Sequence, residues 1–313
     1  MTSSLEIPSA LTSEEAKLLV SLCYHGKLYE IEKWICSGKS LHVPPECKRP
    51  PLQIALDQGF HSLVELLARS DIGQKAKNEA LADAVSKRHL EFVQLLFRHG
   101  AEISTVPFSH VLLSWDPTLI RFFLDHGADF ISGSPFAEAF GARIRTALRP
   151  FIECKQKHPE LAHQLQDQAD RALRYFCHEG NLKWISLMLW AGANPRAAGP
   201  KLGDEEDLEY STTALREASY IGNVEVLKKL KPQPDRDDLS ELLRCAAMLG
   251  RTEAVHYFLE LGASPNNKPN GGSSALDSCL WHLNFENPGA FFSKTTEIHL
   301  RRAPNPGSTS TTC

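Results

Sequence analysis

The strongest constraint on this chain is a spacing that recurs along most of its length. A small or loop-favouring residue, often Gly, is followed twelve residues later by another, with an apolar helical pattern between. The clearest pairs are Gly26/Gly38, Gly180/Gly192 and Gly250/Gly262; Arg88/Gly100 and Trp115/Gly127 keep the frame with the first Gly replaced. A repeated unit of about thirty residues cannot bury its apolar face alone, so such units must stack into a solenoid.

With the first residue of each pair as position zero, the residues seven earlier are Leu19, Leu52, Leu81, Phe108, Phe136, Leu173, Leu215, Leu243 and Leu276, all apolar. Four earlier stand Leu22, Ala55, Ala84, Val111, Ala139, Phe176, Ala218, Ala246 and Cys279, mostly small. The three-residue step puts both sets on one face of a first helix. Position plus five holds Ile31, Val64, Val93, Ile120, Leu148, Ile185, Leu227 and Val255. Position plus eight holds Trp34, Leu67, Leu96, Phe123, Phe151, Met188, Leu230 and Phe258. These form the buried stripe of a second, antiparallel helix. That helix is expected to end where Gly100, Gly127, Gly192 and Gly262 take a left-handed cap.

The frame resembles the ankyrin repeat. That family's Thr-Pro-Leu-His opening survives as Pro51-Leu52-Gln53-Ile54-Ala55, Val106-Pro107-Phe108 and Ser134-Pro135-Phe136. Its Gly-His-Leu-Glu-Ile-Val centre survives as His89-Leu90-Glu91-Phe92-Val93 and Gly222-Asn223-Val224-Glu225-Val226. Its Gly-Ala-Asp end survives as Gly127-Ala128-Asp129 and Gly192-Ala193-Asn194. The resemblance covers roughly residues 14–283 and implies an all-α solenoid of about eight to nine irregular helix-turn-helix units. Zero positions at 26, 59, 88, 115, 143, 180, 222, 250 and 283 give spacings of 27 to 42 residues, against a family standard near 33. The units between 59 and 143 are therefore expected to have tight turns in place of projecting hairpins. Pro150 is expected inside a second helix, where a proline kinks the chain.

The repeats divide as 1–157 and 158–287, two parts of one continuous solenoid, with the polar segment 153–168 placed to act as a hinge between them. Residues 288–313 form an irregular tail, and the Pro/Gly/Ser/Thr stretch from Pro304 to Cys313 has the composition of disorder. The last unit lacks the polar cap that a solenoid end needs, which suggests truncation, divergence or added residues.

At 42% hydrophobic and 23% charged, the chain has ample material for a folded body. No apolar run approaches the roughly 20 residues of a membrane span, and Met1 to Leu11 lacks a signal core, so a cytoplasmic location is expected. The net charge is −4 with signs interspersed, so no basic stripe supplies nucleic-acid contacts. Eight Cys are scattered without Cys-x-x-Cys pairs. Cys23, Cys177 and Cys279 fall in core slots and read as small buried residues. Cys23/His25 and Cys279/His282 have the residue types of zinc ligands, but each pair sits on a different unit, so no metal is expected.

No phosphate-cradling loop, nucleophile elbow or His-Glu-x-x-His motif occurs, and the 13 His do not cluster. His99 and His126 precede capping glycines, where imidazole bonds terminal carbonyls. No catalytic residue, cofactor or small-molecule substrate is expected. Binding is the remaining function, because a stacked solenoid offers a long concave face. The ankyrin-like frame implies that the two residues before each zero position point into it. In the last units these are Tyr220 and Ile221, Met248 and Leu249, and Trp281 and His282. Tyr220, Ile221, Met248, Leu249 and Trp281 have the composition of an interface core, with Tyr24 and His25 as secondary candidates. The alternative is that the insertion 197–212, with its acidic run Asp204–Glu209, folds back over this stripe. The expected partner is another protein, which the chain would sequester, inhibit or localise. A regulatory or targeting module of a larger enzyme system is the second reading, and a metal-dependent protein the third.

Overall fold

The first eight repeats of the sequence frame each become a pair of helices, and the ninth is described only in its first helix. The computed structural model describes residues 11–44, 49–70, 72–202, 211–268 and 272–285, with only the backbone described for 281–285. Two compact units form. One comprises the residues up to Pro135 together with Ile144–Pro150; the other comprises Phe136–Arg143 and the described residues from Phe151 onward.

The first unit contains α1 (Ser13–Tyr24), α2 (Leu28–Cys36), α3 (Pro51–Asp57), α4 (His61–Arg69), α5 (Gln74–Ser86), α6 (Leu90–Arg98), α7 (Phe108–Leu113) and α8 (Pro117–Asp125). The chain continues through α9 (Pro135–Gly141) and α10 (Leu148–Lys157). The second unit then holds α11 (Ala162–Glu179), α12 (Leu182–Trp190), α13 (Ala214–Ile221), α14 (Val224–Leu230), α15 (Leu239–Met248), α16 (Thr252–Glu260) and α17 (Ala275–Phe285). Among the described residues no strand forms; Gly199 and Thr212 make an isolated antiparallel bridge.

Packing follows the register. In the first unit α1, α3, α5 and α7 stack as one row and α2, α4 and α6 as another, each first helix also packing on its own second helix. In the second unit α11, α13, α15 and α17 form one row and α12, α14 and α16 the other. Every residue at plus five and plus eight is buried, from Ile31 and Trp34 through to Val255 and Phe258. At minus seven and minus four the same holds except for Leu22 and Leu276, which are half-buried at the first and last first-helices described. Cys23, Cys177 and Cys279 are buried as small core residues, and burial alone pushes the Cys23 thiol up to about 12.

The turn between the two helices of each pair requires a left-handed residue. Gly26, Gly59, Gly180, Gly222 and Gly250 supply it, and Arg88, Trp115 and Arg143 adopt it without being glycine, at φ 61°, 60° and 62°. The expected left-handed caps at Gly100, Gly127, Gly192 and Gly262 are present. After α14, where the frame has no Gly, Lys231 takes the left-handed conformation. The polar turn that follows is held by Asp237, which accepts from the Gln233 amide at 2.7 Å and pairs with Arg196 at 2.8 Å. At the N-terminal end, the capping box between Thr12 and Glu15 forms as its residues suggest.

Two expectations need correction. Pro150 lies in the first turn of α10 rather than in its interior. The unit opens instead with a 3-10 turn at Arg145–Ala147, so the second helix starts late and the proline removes no interior helical bond. Ser114, expected to face the groove, is buried: its hydroxyl donates to the Val111 carbonyl at 2.6 Å and accepts from the Asp116 amide at 3.2 Å. The polar segment after α10 does extend a first helix, because α11 runs for 18 residues. The acidic run Asp204–Glu209 and the tail from 286 lie outside the described residues.

Candidate partner-binding face

α13 and α15 are fixed at both ends by local chemistry. Thr213 accepts from the Arg216 amide at 3.2 Å, and Asp238 accepts from the Ser240 and Glu241 amides at 3.1 Å each. These are N-caps that satisfy otherwise orphaned donors. Gly222 and Gly250 end the two helices with positive φ. With Leu215, Ala218, Leu243 and Ala246 turned into the core, positions minus nine, minus six, minus five and minus two lie on a different face of each helix.

Tyr220 and Ile221 end α13, Met248 ends α15, and Leu249 is its C-cap. All four are half-buried rather than fully exposed. Trp281 lies on α17, and its side chain falls outside the described residues.

Beside these apolar residues is an ionic cluster that the apolar reading passes over. Arg244 grips Glu241 with two hydrogen bonds, Nε to Oε2 at 2.7 Å and Nη2 to Oε1 at 2.8 Å. From the neighbouring helix, Arg216 Nη2 approaches the same Oε1 at 3.5 Å and donates to the Tyr220 hydroxyl at 3.3 Å. Arg251 donates Nε to the Tyr220 carbonyl at 2.9 Å, its side-chain stem lying across Gly222. Burial draws the Glu241 carboxyl upward, but the hydrogen bonds and charge of Arg244, with the charge of Arg216, outweigh it and hold the group below its ordinary value. Burial and the adjacent Cys245 push the Tyr220 phenol up to about 12, so it remains protonated at neutral pH. Burial likewise raises the Cys245 thiol, which makes it a poor nucleophile. The signal for this cluster was present in the register, because Arg174, Arg216 and Arg244 all stand six residues before the left-handed residue.

The described legs of the 197–212 insertion are anchored on α11 and α13. Arg174, 1% exposed, donates Nε to the Pro200 carbonyl at 2.9 Å and Nη1 to the Ala197 carbonyl at 3.1 Å. Gly199 lies so close that a Cβ there would stand 2.7 Å from Arg174 Nη2. Glu217, 2% exposed, accepts from His178 Nδ1 at 3.0 Å and has Lys201 at 3.8 Å.

In the first unit Tyr24 and His25 are both exposed. His25 donates Nδ1 to the Ser21 carbonyl at 2.7 Å, so its ring also caps α1. His126 treats the Phe122 carbonyl in the same way. Tyr24 lines a groove of about 350 Å³ with Val20, Ile54 and Arg49. A second groove of about 290 Å³ is lined by Val85, Val106, His110 and Leu113. Leu113, 51% exposed, sits at the same minus-two position as Tyr24 and Tyr220 and was legible from that register alone. Among the described residues, no group of three His, Cys, Asp or Glu is placed to hold a metal ion, and no helix is long and apolar enough to cross a membrane.

Comparison with known proteins agrees with the register. Residues 19–106 match the family profile described as Ankyrin repeats (3 copies), and residues 243–286 match that described as Ankyrin repeats (many copies). Each unit therefore contains one stretch that matches ankyrin repeats. It is similar to the solved ankyrin repeat domain of Bcl-3, described as a unique member of the IkappaB protein family. The identity is 16%, over 83% of this chain and 92% of that one, with a TM-score of 0.37. It is also similar to the human ASB11 ankyrin repeat domain, with 18% identity over 82% of this chain and 100% of that one and a TM-score of 0.32. No curated protein matches the sequence. Ankyrin repeats as a class are protein–protein interaction modules and are typically non-catalytic.

Proposed function

We propose that this chain is a non-enzymatic, cytoplasmic binding module that engages another protein through the inner face of its first helices, centred on α13 and α15. The observation that supports this reading is the side-by-side placement of Tyr220 and Ile221 with Met248 and Leu249, at the same two register positions on adjacent helices and none of them fully buried. Apolar and aromatic residues grouped in this way, with arginines beside them, have the composition of an interface core. Trp281 extends the series by register, and Tyr24 and His25 offer a secondary contact in the first unit. The module would sequester, inhibit or localise its partner as a preformed surface.

The test is affinity capture from native lysate with the intact chain and with a Tyr220→Ala, Met248→Ala, Trp281→Ala variant whose circular dichroism melt shows that it folds. The reading expects a partner that the variant loses. A partner retained at full yield by the folded variant would remove α13 and α15 from the site.

A further inference from the structure

The face formed by α13 and α15 carries more positive charge than its carboxylates balance. Three guanidinium groups, those of Arg216, Arg244 and Arg251, border Tyr220. Among the described residues only Glu241 pairs with any of them. Both Glu241 oxygens are already committed. The next carboxylates are engaged elsewhere: Glu217 by His178 and Lys201, Asp277 by Lys268, and Glu179 by Arg143.

The arginines are not equally satisfied. Arg216 Nε is buried with no hydrogen-bond partner. Arg251 is exposed, and its Nε bond to the Tyr220 carbonyl is the one hydrogen bond it makes through its side chain among the described residues. A carboxylate arriving here would meet the uncommitted terminal nitrogens of exposed Arg251 and the part-exposed tips of Arg216 and Arg244, beside apolar side chains. There charge-assisted, two-pronged hydrogen bonds are stronger than in open water. Ile221, Met248 and Leu249, half-buried at the ends of the same two helices, would receive an apolar side chain, which a nucleic-acid backbone does not carry.

We propose that the partner presents an acidic peptide segment to this face, with Asp or Glu carboxylates flanking an aliphatic or aromatic residue. The carboxylates would be taken by Arg216, Arg244 and Arg251, and the apolar residue would sit against Ile221 and Met248. The proposal rests on the binding-face reading above and names the chemistry of its partner.

The test is to pan displayed random twelve-residue peptides on the intact chain, then titrate the most enriched peptide, fluorescein-labelled, by anisotropy at two salt concentrations. Enrichment of Asp and Glu around an apolar residue is expected. Affinity should weaken with salt and fall roughly tenfold for each of Arg216→Gln, Arg244→Gln and Arg251→Gln. Arg251 is exposed, so Arg251→Gln retains the test even if a more buried arginine variant unfolds. Peptides without acidic enrichment, or insensitive to all three changes, would overturn the acidic partner. If such peptides still lose binding to a folded Tyr220→Ala, Met248→Ala variant, the face remains the site and its partner has other chemistry. Insensitivity to both sets of variants, or no enrichment, would count against the face as well.

Discussion

Arg174 and Asp170 stand one turn apart on α11 and show two outcomes of burying a charge. Arg174 holds the first leg of the insertion through two backbone carbonyls, and its planar fork meets both at once. Arg174→Ala should cost roughly 2–4 kcal/mol, because it leaves those acceptors and the space beneath Gly199 unfilled. Arg174→Lys should recover little of this, since an ammonium cannot reproduce the fork; thermal melts of both variants check the ordering. Asp170 accepts from the Asn194 amide at 2.6 Å and from Gln166 Nε2 at 2.8 Å, yet burial outweighs these bonds and raises its carboxyl above the ordinary value. A carboxyl raised on folding binds its proton more tightly in the native state, so its contribution is greatest at low pH and is lost as pH rises through the folded value. Asp170→Asn should therefore match or exceed the parent melting temperature at pH 7, with any gain vanishing below about pH 4. Asp170→Ala should lower it at both. A large loss for Asp170→Asn at neutral pH would contradict this account.

The same clamp occurs twice, which places it at the level of the element. In α5, Gln74 Nε2 donates to the Gly100 carbonyl at 2.7 Å and Asn78 accepts from the Glu102 amide at 3.0 Å. In α11, Gln166 and Asp170 do this for Gly192 and Asn194. Both pairs stand fourteen and ten residues before the left-handed residue, so the long first helices reach back to tie down the turn after their own second helices. The turns themselves set a further expectation. Arg88 is exposed and held at positive φ, where a side chain costs about 1–2 kcal/mol. Arg88→Gly should raise stability by about that amount less the added chain entropy. Gly180→Ala should lower it for conformational reasons alone, because the added Cβ meets nothing closer than 3.4 Å. At Gly222 a Cβ would stand 2.6 Å from Arg251 Cβ, so Gly222→Ala should cost more and also displace Arg251. Helix pairs and core slots were legible because burial repeats at fixed register. The entry of α10 was not, since Pro150 reads as an interior breaker unless the 3-10 turn before it is known. Ser114 was misread because an outward register position says nothing of a hydroxyl that folds back onto its own backbone.

For the molecule as a whole, the proposed binding face was half legible. Tyr220, Ile221, Met248 and Leu249 stood out as apolar residues at positions that are polar or small in most other repeats, and their placement on adjacent helices follows from the register. The arginines did not stand out, because charges on a helix read as solvated until their convergence on Glu241 is seen. The second unit also contains a rival surface. Trp190, at the end of α12, is 66% exposed and belongs to the row of second helices. The most direct measurement is photo-crosslinking of the full chain in native lysate, with benzoylphenylalanine placed in turn at positions 220, 248 and 190. Partner adducts from 220 and 248 but not from 190 are the expected result. Adducts from 190 alone would place the interaction on the second-helix row and contradict the inner-face account.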